Sequence, residues 1–184
     1  MKIYEIKTPL TYDQIVKLNA GDKVNLSGIV YTARDAAHKK LVELIKANQT
    51  LPFDLQGQVI YYVGPSPAKP GQITGSAGPT TSSRMDPYTP CLLAKGLKGM
   101  IGKGTRSQEV RQAMDKYKAV YFAAIGGAAA LMAKCISKVE VIAYPELGPE
   151  AIHKLEVVNL PLIVINDLKG NDLYEMGQRL FEKE

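Results

Sequence analysis

Four side chains in this sequence are suited to holding a small anion: Arg34, Thr80, Arg84 and Lys103. A guanidinium binds a carboxylate through two parallel hydrogen bonds, and a lysine ammonium adds a compact point charge. A threonine supplies a hydroxyl donor. Any one of these residues alone is more often a solvated surface group, so the hypothesis of a site depends on the fold bringing them together.

Arg34 and Lys103 each stand where a predicted strand is followed by a predicted helix. The start of a helix favours anions because its first N–H groups are unpaired and the helix dipole is positive there. The Gly-Lys-Gly-Thr run at 102–105 superficially resembles a phosphate-binding P-loop, but Lys98 stands where that motif requires its first glycine. The sequence therefore favours a small anion over a nucleotide.

Residues 64–90 differ from the rest of the chain in being rich in Gly, Pro, Ser and Thr and poor in Leu, Ile and Val. One interpretation is a disordered linker. The other is a long functional loop inside a single domain spanning residues 1–184, because structureless loops of this length are uncommon within a compact domain. The segment carries Thr80 and Arg84, and we favour the functional loop.

Apolar periodicity outlines strands and helices on both sides of this loop. The predicted strands cover 23–32, 58–63, 99–102, 119–125, 138–143 and 160–167, and the predicted helices cover 10–20, 35–48, 87–96, 107–117, 127–137 and 172–182. A Thr11-x-x-Gln14 capping box marks the first helix, Ser107 is a predicted N-cap, and Asn171 or Asp172 caps the last helix. Alternating strands and helices predict an α/β fold with a mixed, largely parallel central sheet and flanking helices.

Composition narrows the class of function. The 184 residues carry 23 Lys and Arg against 18 Asp and Glu, and this mild excess is spread along the chain. A nucleic-acid-binding protein usually concentrates its basic residues on one element, so no nucleic-acid partner is expected. The apolar stretches are too short to span a bilayer and the N-terminus lacks the apolar core of a signal peptide, so we expect a soluble cytoplasmic protein with no membrane partner.

The two cysteines, Cys91 and Cys135, are far apart and lack metal-type CxxC spacing. Two cysteines cannot fill a four-cysteine zinc site or hold an iron–sulfur cluster unaided. We expect them to be reduced and partly buried, and we expect no metal ligand in this chain.

Six motifs occur in a fixed order along the chain. They are Leu-Ser-Gly-x-x-x-Thr-x-Arg-Asp-Ala-Ala-His at 26–38, Gly-Pro-Thr-Thr-x-x-Arg-Met-Asp at 78–86, Lys-Gly-x-Arg-Ser at 103–107, Ile-Gly-Gly-Ala-Ala-Ala at 125–130, Tyr-Pro-Glu-Leu-Gly-x-Glu-Ala-Ile at 144–152 and Asp-x-x-Gly-Asn-Asp at 167–172. This series resembles the C-terminal, or beta, portion of class I fumarate hydratases and L-tartrate dehydratases. The resemblance covers residues 5–175.

The resemblance implies a fold and a partner. The fold implied is a swivelling β/β/α domain. The family's 4Fe-4S cluster is held by three cysteines of a separate, larger portion, so the cluster is expected in a partner alpha subunit and the assembly is expected to be a hetero-oligomer. A chain that starts at Met1 with a first helix in place is similar to the beta subunit of the two-subunit arrangement.

The resemblance also implies an activity, which is the reversible hydration of fumarate to L-malate, by a hydro-lyase active only with its partner. Thr80 is the implied catalytic base, and Arg34, Arg84 and Lys103 are the implied substrate-binding residues, while the acid is expected from the partner. Nearby positive charge would favour the threonine alkoxide.

Several residues of the same motifs have supporting interpretations. Thr81 shapes the loop, and Asp86 and His38 each orient a neighbour or cap local structure. Glu146 and Glu150 are structural or interface residues. Because the active site is expected at a subunit junction, an apolar surface is predicted beside the loop at 64–90.

Two other functions stay open. The first is the beta subunit of L(+)-tartrate dehydratase, which converts tartrate to oxaloacetate and water. We favour fumarate because none of these residues is suited to recognising a second hydroxyl group on the substrate. The second is a non-catalytic anion-binding module.

Overall fold

The computed structural model describes residues 2–124 and 129–182 of the chain. One sheet contains seven strands: β1 (Ile3–Lys7), β2 (Lys23–Thr32), β3 (Val59–Tyr61), β4 (Gly99–Gly102), β5 (Val120–Ala124), β6 (Ile136–Ala143) and β7 (Ile152–Asn166). The helices are α1 (Tyr12–Ile15), α2 (Asp35–Lys46), α3 (Thr89–Ala94), α4 (Gln108–Tyr117), α5 (Ala129–Lys134) and α6 (Leu173–Phe181). Short 3-10 turns cover Ser82–Met85 and Pro145–Glu150.

The sheet is mixed and mostly parallel, as the sequence predicts. Strands β1 to β5 pair in sequence order and run parallel. The long strand β7 runs antiparallel to β2, β5 and β6. Because β7 joins β5 to β2, the strands β2, β3, β4, β5 and β7 close into a ring, with β1 and β6 paired outside it. This architecture is that of a β/β/α domain.

Side chains alternate between the two faces of the ring, as the pleat of a strand requires. One apolar cluster draws on every ring strand and fills the interior: Val24, Leu26, Val30, Val59, Tyr61, Ile101, Val120, Phe122, Leu155, Leu162 and Val164. The other lies outside and joins Ile60, Tyr62, Met100, Tyr121 and Ile165 to the buried faces of α2, α3 and α4. Because helices cover the outer face of the ring, the candidate site lies at the ends of the strands.

Most predicted elements are confirmed. Strands β2 and β4 have the predicted bounds, and α4 begins after an N-cap at Ser107, whose side chain accepts from the backbone of Val110. Asp172 caps α6 and accepts from the Tyr174 backbone N–H. The end of the predicted strand at 119–125 and the start of the predicted helix at 127–137 lie outside the described residues.

Three elements differ most from the prediction, and β6 also begins at Ile136, two residues before the predicted strand and inside the predicted helix at 127–137. The capping box of Thr11 and Gln14 forms, but α1 ends at Ile15, and the chain then turns, with the Asp22 carboxylate accepting from the backbone N–H of Asn19 at 2.9 Å. Strand β1 was not predicted, because it buries only Ile6 and so has no apolar pattern. Strand β7 begins eight residues before the predicted start at Leu160, because its first half alternates in polarity and is interrupted by Asn159 at a positive φ of 51°.

No helix of the described residues is both long enough and apolar enough to cross a membrane.

Candidate functional site

The four predicted site residues lie on segments at the carboxyl ends of neighbouring parallel strands. Arg34 follows β2 by two residues and precedes α2, and Lys103 follows β4 directly. The backbone N–H of Ala33 donates to the Tyr61 carbonyl at 3.3 Å, which holds the end of β2 against β3. Ligand sites in α/β sheets commonly form at this edge.

The segment that carries Thr80 is inserted between the ends of β3 and β4. The Thr80 N–H donates to the Tyr62 carbonyl at 2.7 Å, and the Lys103 N–H donates to the Thr80 carbonyl at 3.3 Å. The Ser82 N–H then donates to the Lys103 carbonyl at 2.9 Å. Thr80 and Lys103, which are 23 residues apart in the sequence, are therefore fixed as backbone neighbours.

Gly102 makes this insertion possible. A Cβ atom at this position would lie 1.9 Å from Ser82 Oγ and 2.9 Å from Tyr62 Cδ2. The Ser82 hydroxyl is buried and lies 2.8 Å from the Tyr121 hydroxyl, which itself donates to the Gly104 carbonyl at 2.8 Å. Close packing therefore fixes the segment that carries Thr80 against β4.

Both arginines of the site are paired with carboxylates that the sequence did not single out as their partners. Arg84 Nε donates to Asp35 Oδ1 at 2.9 Å, and Arg84 Nη2 lies 2.7 Å from Asp35 Oδ2. Arg34 Nη2 lies 3.1 Å from Glu150 Oε1. Asp35 and Arg34 are adjacent at the start of α2, so one helix terminus holds Arg34 and the partner of Arg84.

A buried network lies beneath the site and gives Asp86 a structural role. Arg106 Nε donates to Asp86 Oδ1 at 2.8 Å, and the same carboxylate accepts from the Ser107 backbone N–H at 2.7 Å. Arg106 Nη2 donates to Thr89 Oγ1 at 2.8 Å, and Nη1 donates to the Tyr62 hydroxyl at 3.2 Å. This network ties the loop carrying Thr80 and Arg84 to the turn carrying Lys103.

His38 supports Arg34 from below. Its Nδ1 lies 2.9 Å from the Arg34 carbonyl oxygen, and since a carbonyl only accepts, Nδ1 carries the proton. Burial lowers the pKa of His38 from 6.5 to about 4, with the nearby Arg106 charge acting in the same direction. His38 is therefore neutral at pH 7, and its ring is hydrogen-bonded to the backbone of Arg34.

The remaining candidates lie at the rim. Thr81 is exposed and forms a parallel bridge with Lys103. Glu146 is an exposed partner of Lys40 at 3.3 Å, whereas Glu150 contacts the site through Arg34. Lys103 is exposed, and within 2–124 and 129–182 no ion pair involves it. Its charge is available to an anion.

Comparison of the sequence with known protein families identifies the family of this chain. The sequence model of the Fumarase C-terminus family matches residues 1–177. The chain belongs to the Fumarase C-terminus family. The match includes every candidate residue at the strand ends and the motif at 125–130, of which residues 125–128 lie outside the described residues.

Relatives within the Fumarase C-terminus family differ in length. A Methanocaldococcus jannaschii protein, provisionally named L(+)-tartrate dehydratase subunit beta, is 42% identical over 181 residues, covering 95% of this chain and 93% of that protein. The anaerobic class I fumarate hydratase of Escherichia coli is 42% identical over 164 residues, covering 88% of this chain. Fumarate hydratase 2 of Leishmania major is 38% identical over 174 residues. The chain spans 30% and 31% of the two fumarate hydratases.

The described residues of this Fumarase C-terminus chain do not fit an iron–sulfur cluster. They contain no group of three or more His, Cys, Asp or Glu side chains close enough to hold a metal ion. Cys91 packs against the outer apolar cluster, and Cys135 packs against the inner one. No catalytic step through a cluster follows from these residues.

An apolar groove runs beside the loop, as the sequence predicts for this edge. Part of the loop and part of the edge strand β6 line it, and Ile73 and Val141 are 55% and 49% exposed. Pro149, which precedes Glu150 in the sequence, is one of the residues that line the groove.

Proposed function

We propose that the chain is the beta subunit of an iron–sulfur-dependent class I fumarate hydratase, which hydrates fumarate reversibly to L-malate together with a larger alpha subunit. The observation that supports this most is that the segments carrying Arg34, Arg84 and Lys103 lie at the same strand ends as the segment that carries Thr80. We also propose that residues 1–184 act as one domain, with the loop at 64–90 as its functional segment.

Three cations suit a substrate with a carboxylate at each end, because one cation cannot serve both ends. Arg34 and Arg84 each keep N–H groups beyond those used by Glu150 and Asp35, and Lys103 adds an unneutralised charge. A guanidinium held by a carboxylate on one edge presents its remaining edge in a fixed direction. The two arginines therefore bind and orient the substrate, and the lysine strengthens the field that favours an anion.

Thr80 takes the role of base. In the dehydration direction its Oγ, as the alkoxide, accepts the proton from the carbon beside a carboxylate, and the electron pair of that C–H bond becomes the second bond of the alkene. The hydroxyl on the next carbon takes a proton from the acid that the partner subunit supplies and leaves as water. Hydration reverses each transfer. A threonine oxygen accepts a proton only if positive charge stabilises its alkoxide, and Lys103, held beside Thr80 by backbone hydrogen bonds, supplies that charge.

The larger alpha subunit completes the site in this proposal. The cluster that it would hold supplies Lewis-acid chemistry at the substrate hydroxyl. The near-full match to a beta subunit and the 30% share of longer fumarate hydratases both support a partner of this kind. The apolar groove beside the loop is the surface that we expect this partner to cover, because an exposed apolar face next to a site is typical of an interface.

Tartrate is the second candidate substrate. The protein of Methanocaldococcus jannaschii named as a tartrate dehydratase subunit matches this chain over almost its whole length, whereas the fumarate hydratases match it over part of theirs. The dicarboxylate-binding groups proposed above serve either substrate.

The test is a comparison of substrates and variants in the assembled pair. The chain is co-expressed with its larger partner and assayed with fumarate, L-malate and L(+)-tartrate, alongside Arg34→Met and Arg84→Lys variants. We expect turnover of fumarate and L-malate, with kcat/KM reduced about 100- to 1000-fold when one contact is lost. Turnover of tartrate alone would favour the second candidate, and anion binding with no turnover of any substrate would indicate a non-catalytic module.

A further inference from the structure

Asp35 pairs with Arg84 at two points. Arg84 Nε donates to Asp35 Oδ1 at 2.9 Å, and Nη2 lies 2.7 Å from Asp35 Oδ2 as an ion-pair contact, since Oδ2 accepts no hydrogen bond from the described residues. The N–H groups of Nη1 lie on the other edge of the guanidinium, away from this pair. The Asp35 side chain is 29% exposed and that of Arg84 is 49% exposed, so the pair lies on the accessible side of the site.

We propose that Asp35 is a positioning residue that aims the free edge of Arg84 at a substrate carboxylate; the inference rests on the proposed function, in which Arg84 binds substrate. A carboxylate this close to a cationic site reduces the attraction for a dianion. Its presence is therefore explained by geometry and not by charge, because the Nε hydrogen bond and the Nη2 ion-pair contact restrict the guanidinium to one side of Asp35.

The position of Asp35 makes it suitable for this role. It is the first residue of α2, directly after Arg34, and Arg34 is itself held by Glu150 and by the His38 ring beneath its carbonyl. The aspartate is therefore anchored on a helix start whose neighbour is a second substrate-binding arginine. An acidic residue in the first turn also stabilises a helix, and this purely structural role predicts different kinetics.

The decisive measurement is the direction in which KM changes in Asp35→Asn, determined in the assembled pair with fumarate. If Asp35 aims Arg84, KM rises and kcat/KM falls about 10- to 100-fold, the loss typical of misplacing a clamp by about an ångström. If Asp35 contributes only charge, its removal tightens binding of the dianion and KM falls. An unchanged or lower KM overturns the proposal.

Glu146→Gln is the matched control, because it removes the same charge from a neighbouring carboxylate whose ion pair is with Lys40. We expect its KM to stay within about twofold of the wild-type value, as for most surface substitutions. Asp35→Glu is the second variant. It keeps a negative charge at the start of α2 but lengthens the side chain by one methylene group. Positioning predicts a raised KM there also, and a normal KM in Asp35→Glu together with a normal KM in Asp35→Asn contradicts it.

A double-mutant cycle separates this proposal from the proposed function. Lysine cannot form the bidentate pair, so Asp35→Asn should have little further effect in an Arg84→Lys background. If Arg84→Lys alone leaves kcat/KM unchanged, the substrate-binding role of Arg84 is wrong and the Asp35 proposal falls with it. If Arg84→Lys weakens binding and Asp35→Asn does not, only the Asp35 proposal falls.

Discussion

The hydroxyl of Thr80 is the group on which the proposed chemistry depends. Thr80→Ala in the assembled enzyme should lower kcat by about 100-fold or more, the usual contribution of a positioned base, with a smaller change in KM. Thr80→Ser should retain part of the activity because the hydroxyl remains. Ser83→Ala, an exposed hydroxyl in the same loop, is the control. Near-normal kcat in Thr80→Ala would remove the base assignment and leave the family unaffected.

The neutral ring of His38 gives a prediction about stability. Its pKa is about 4 in the folded protein and 6.5 in the unfolded chain, so the unfolded state binds the extra proton first. The free energy of unfolding should therefore fall as pH drops from about 6.5 to 4, by about 3 kcal/mol from this group. His38→Gln should lose that part of the slope in urea denaturation at a series of pH values.

The other histidine does not obscure this comparison. Burial also lowers the pKa of His153, but His153 is present in both proteins, so the difference between the two pH profiles isolates His38. Equal slopes in the two proteins would mean that His38 is charged in the folded state.

The residue-level partners were the hardest feature to predict from the sequence. Arg34, Thr80, Arg84 and Lys103 stood out because their types suit an anion and their motifs resemble a family. Asp35 and Arg106 stood in the same motifs without a predicted role. The Arg84–Asp35 pair joins positions 49 residues apart. Arg106 is buried, although it lies in a polar, glycine-containing turn whose composition predicts exposure to solvent. No local pattern carries such long-range contacts.

At the scale of elements, the carboxyl ends of β3 and β4 determine where Thr80 lies. Gly102→Ala would bring a Cβ to within 1.9 Å of Ser82 Oγ and should force the inserted segment away from β4. We expect a loss of about 1 to 3 kcal/mol in the free energy of unfolding, as for other overpacked sites, together with a loss of kcat.

A second substitution checks the cause. Ser82→Ala removes the hydroxyl and leaves a Cβ that lies 3.3 Å from the added methyl group, so it should partly restore stability and turnover to Gly102→Ala. Ser82→Ala alone is the control, since it loses the hydrogen bond to Tyr121. If the double variant is no better than Gly102→Ala, crowding by Ser82 is not the reason for the defect.

Elements with strong apolar patterns were predictable, and those defined by pairing were not. The predicted bounds hold for β2 and β4, whose runs are bounded by turn residues or glycine. Strand β1 buries one residue, and the first half of β7 alternates between polar and apolar residues, so neither has a continuous apolar run. Closure of the ring through β7 depends on contacts between β2 and β7, more than a hundred residues apart.

At the scale of the whole molecule, the candidate site faces outward, and in the proposed function a larger partner completes it. Three of its four candidate side chains are partly or fully exposed cations, and the apolar groove lies beside them. In relatives of the longer type this domain accounts for 30% of the protein. We therefore expect catalysis only when a second, larger component covers the strand ends.

The most direct test measures fumarate hydration by the purified chain, by its larger partner and by the two mixed, with Lys103→Met and Lys95→Met versions of the chain. Lys95 is an exposed lysine at the end of α3 and matches the change in charge. We expect the chain alone to be folded, colourless and inactive, and the mixture to be active. Lys103→Met should lower kcat/KM of the mixture about 100- to 1000-fold while Lys95→Met leaves it unchanged. Hydratase activity in the isolated chain, or a mixture in which Lys103→Met and Lys95→Met behave alike, would contradict this expectation.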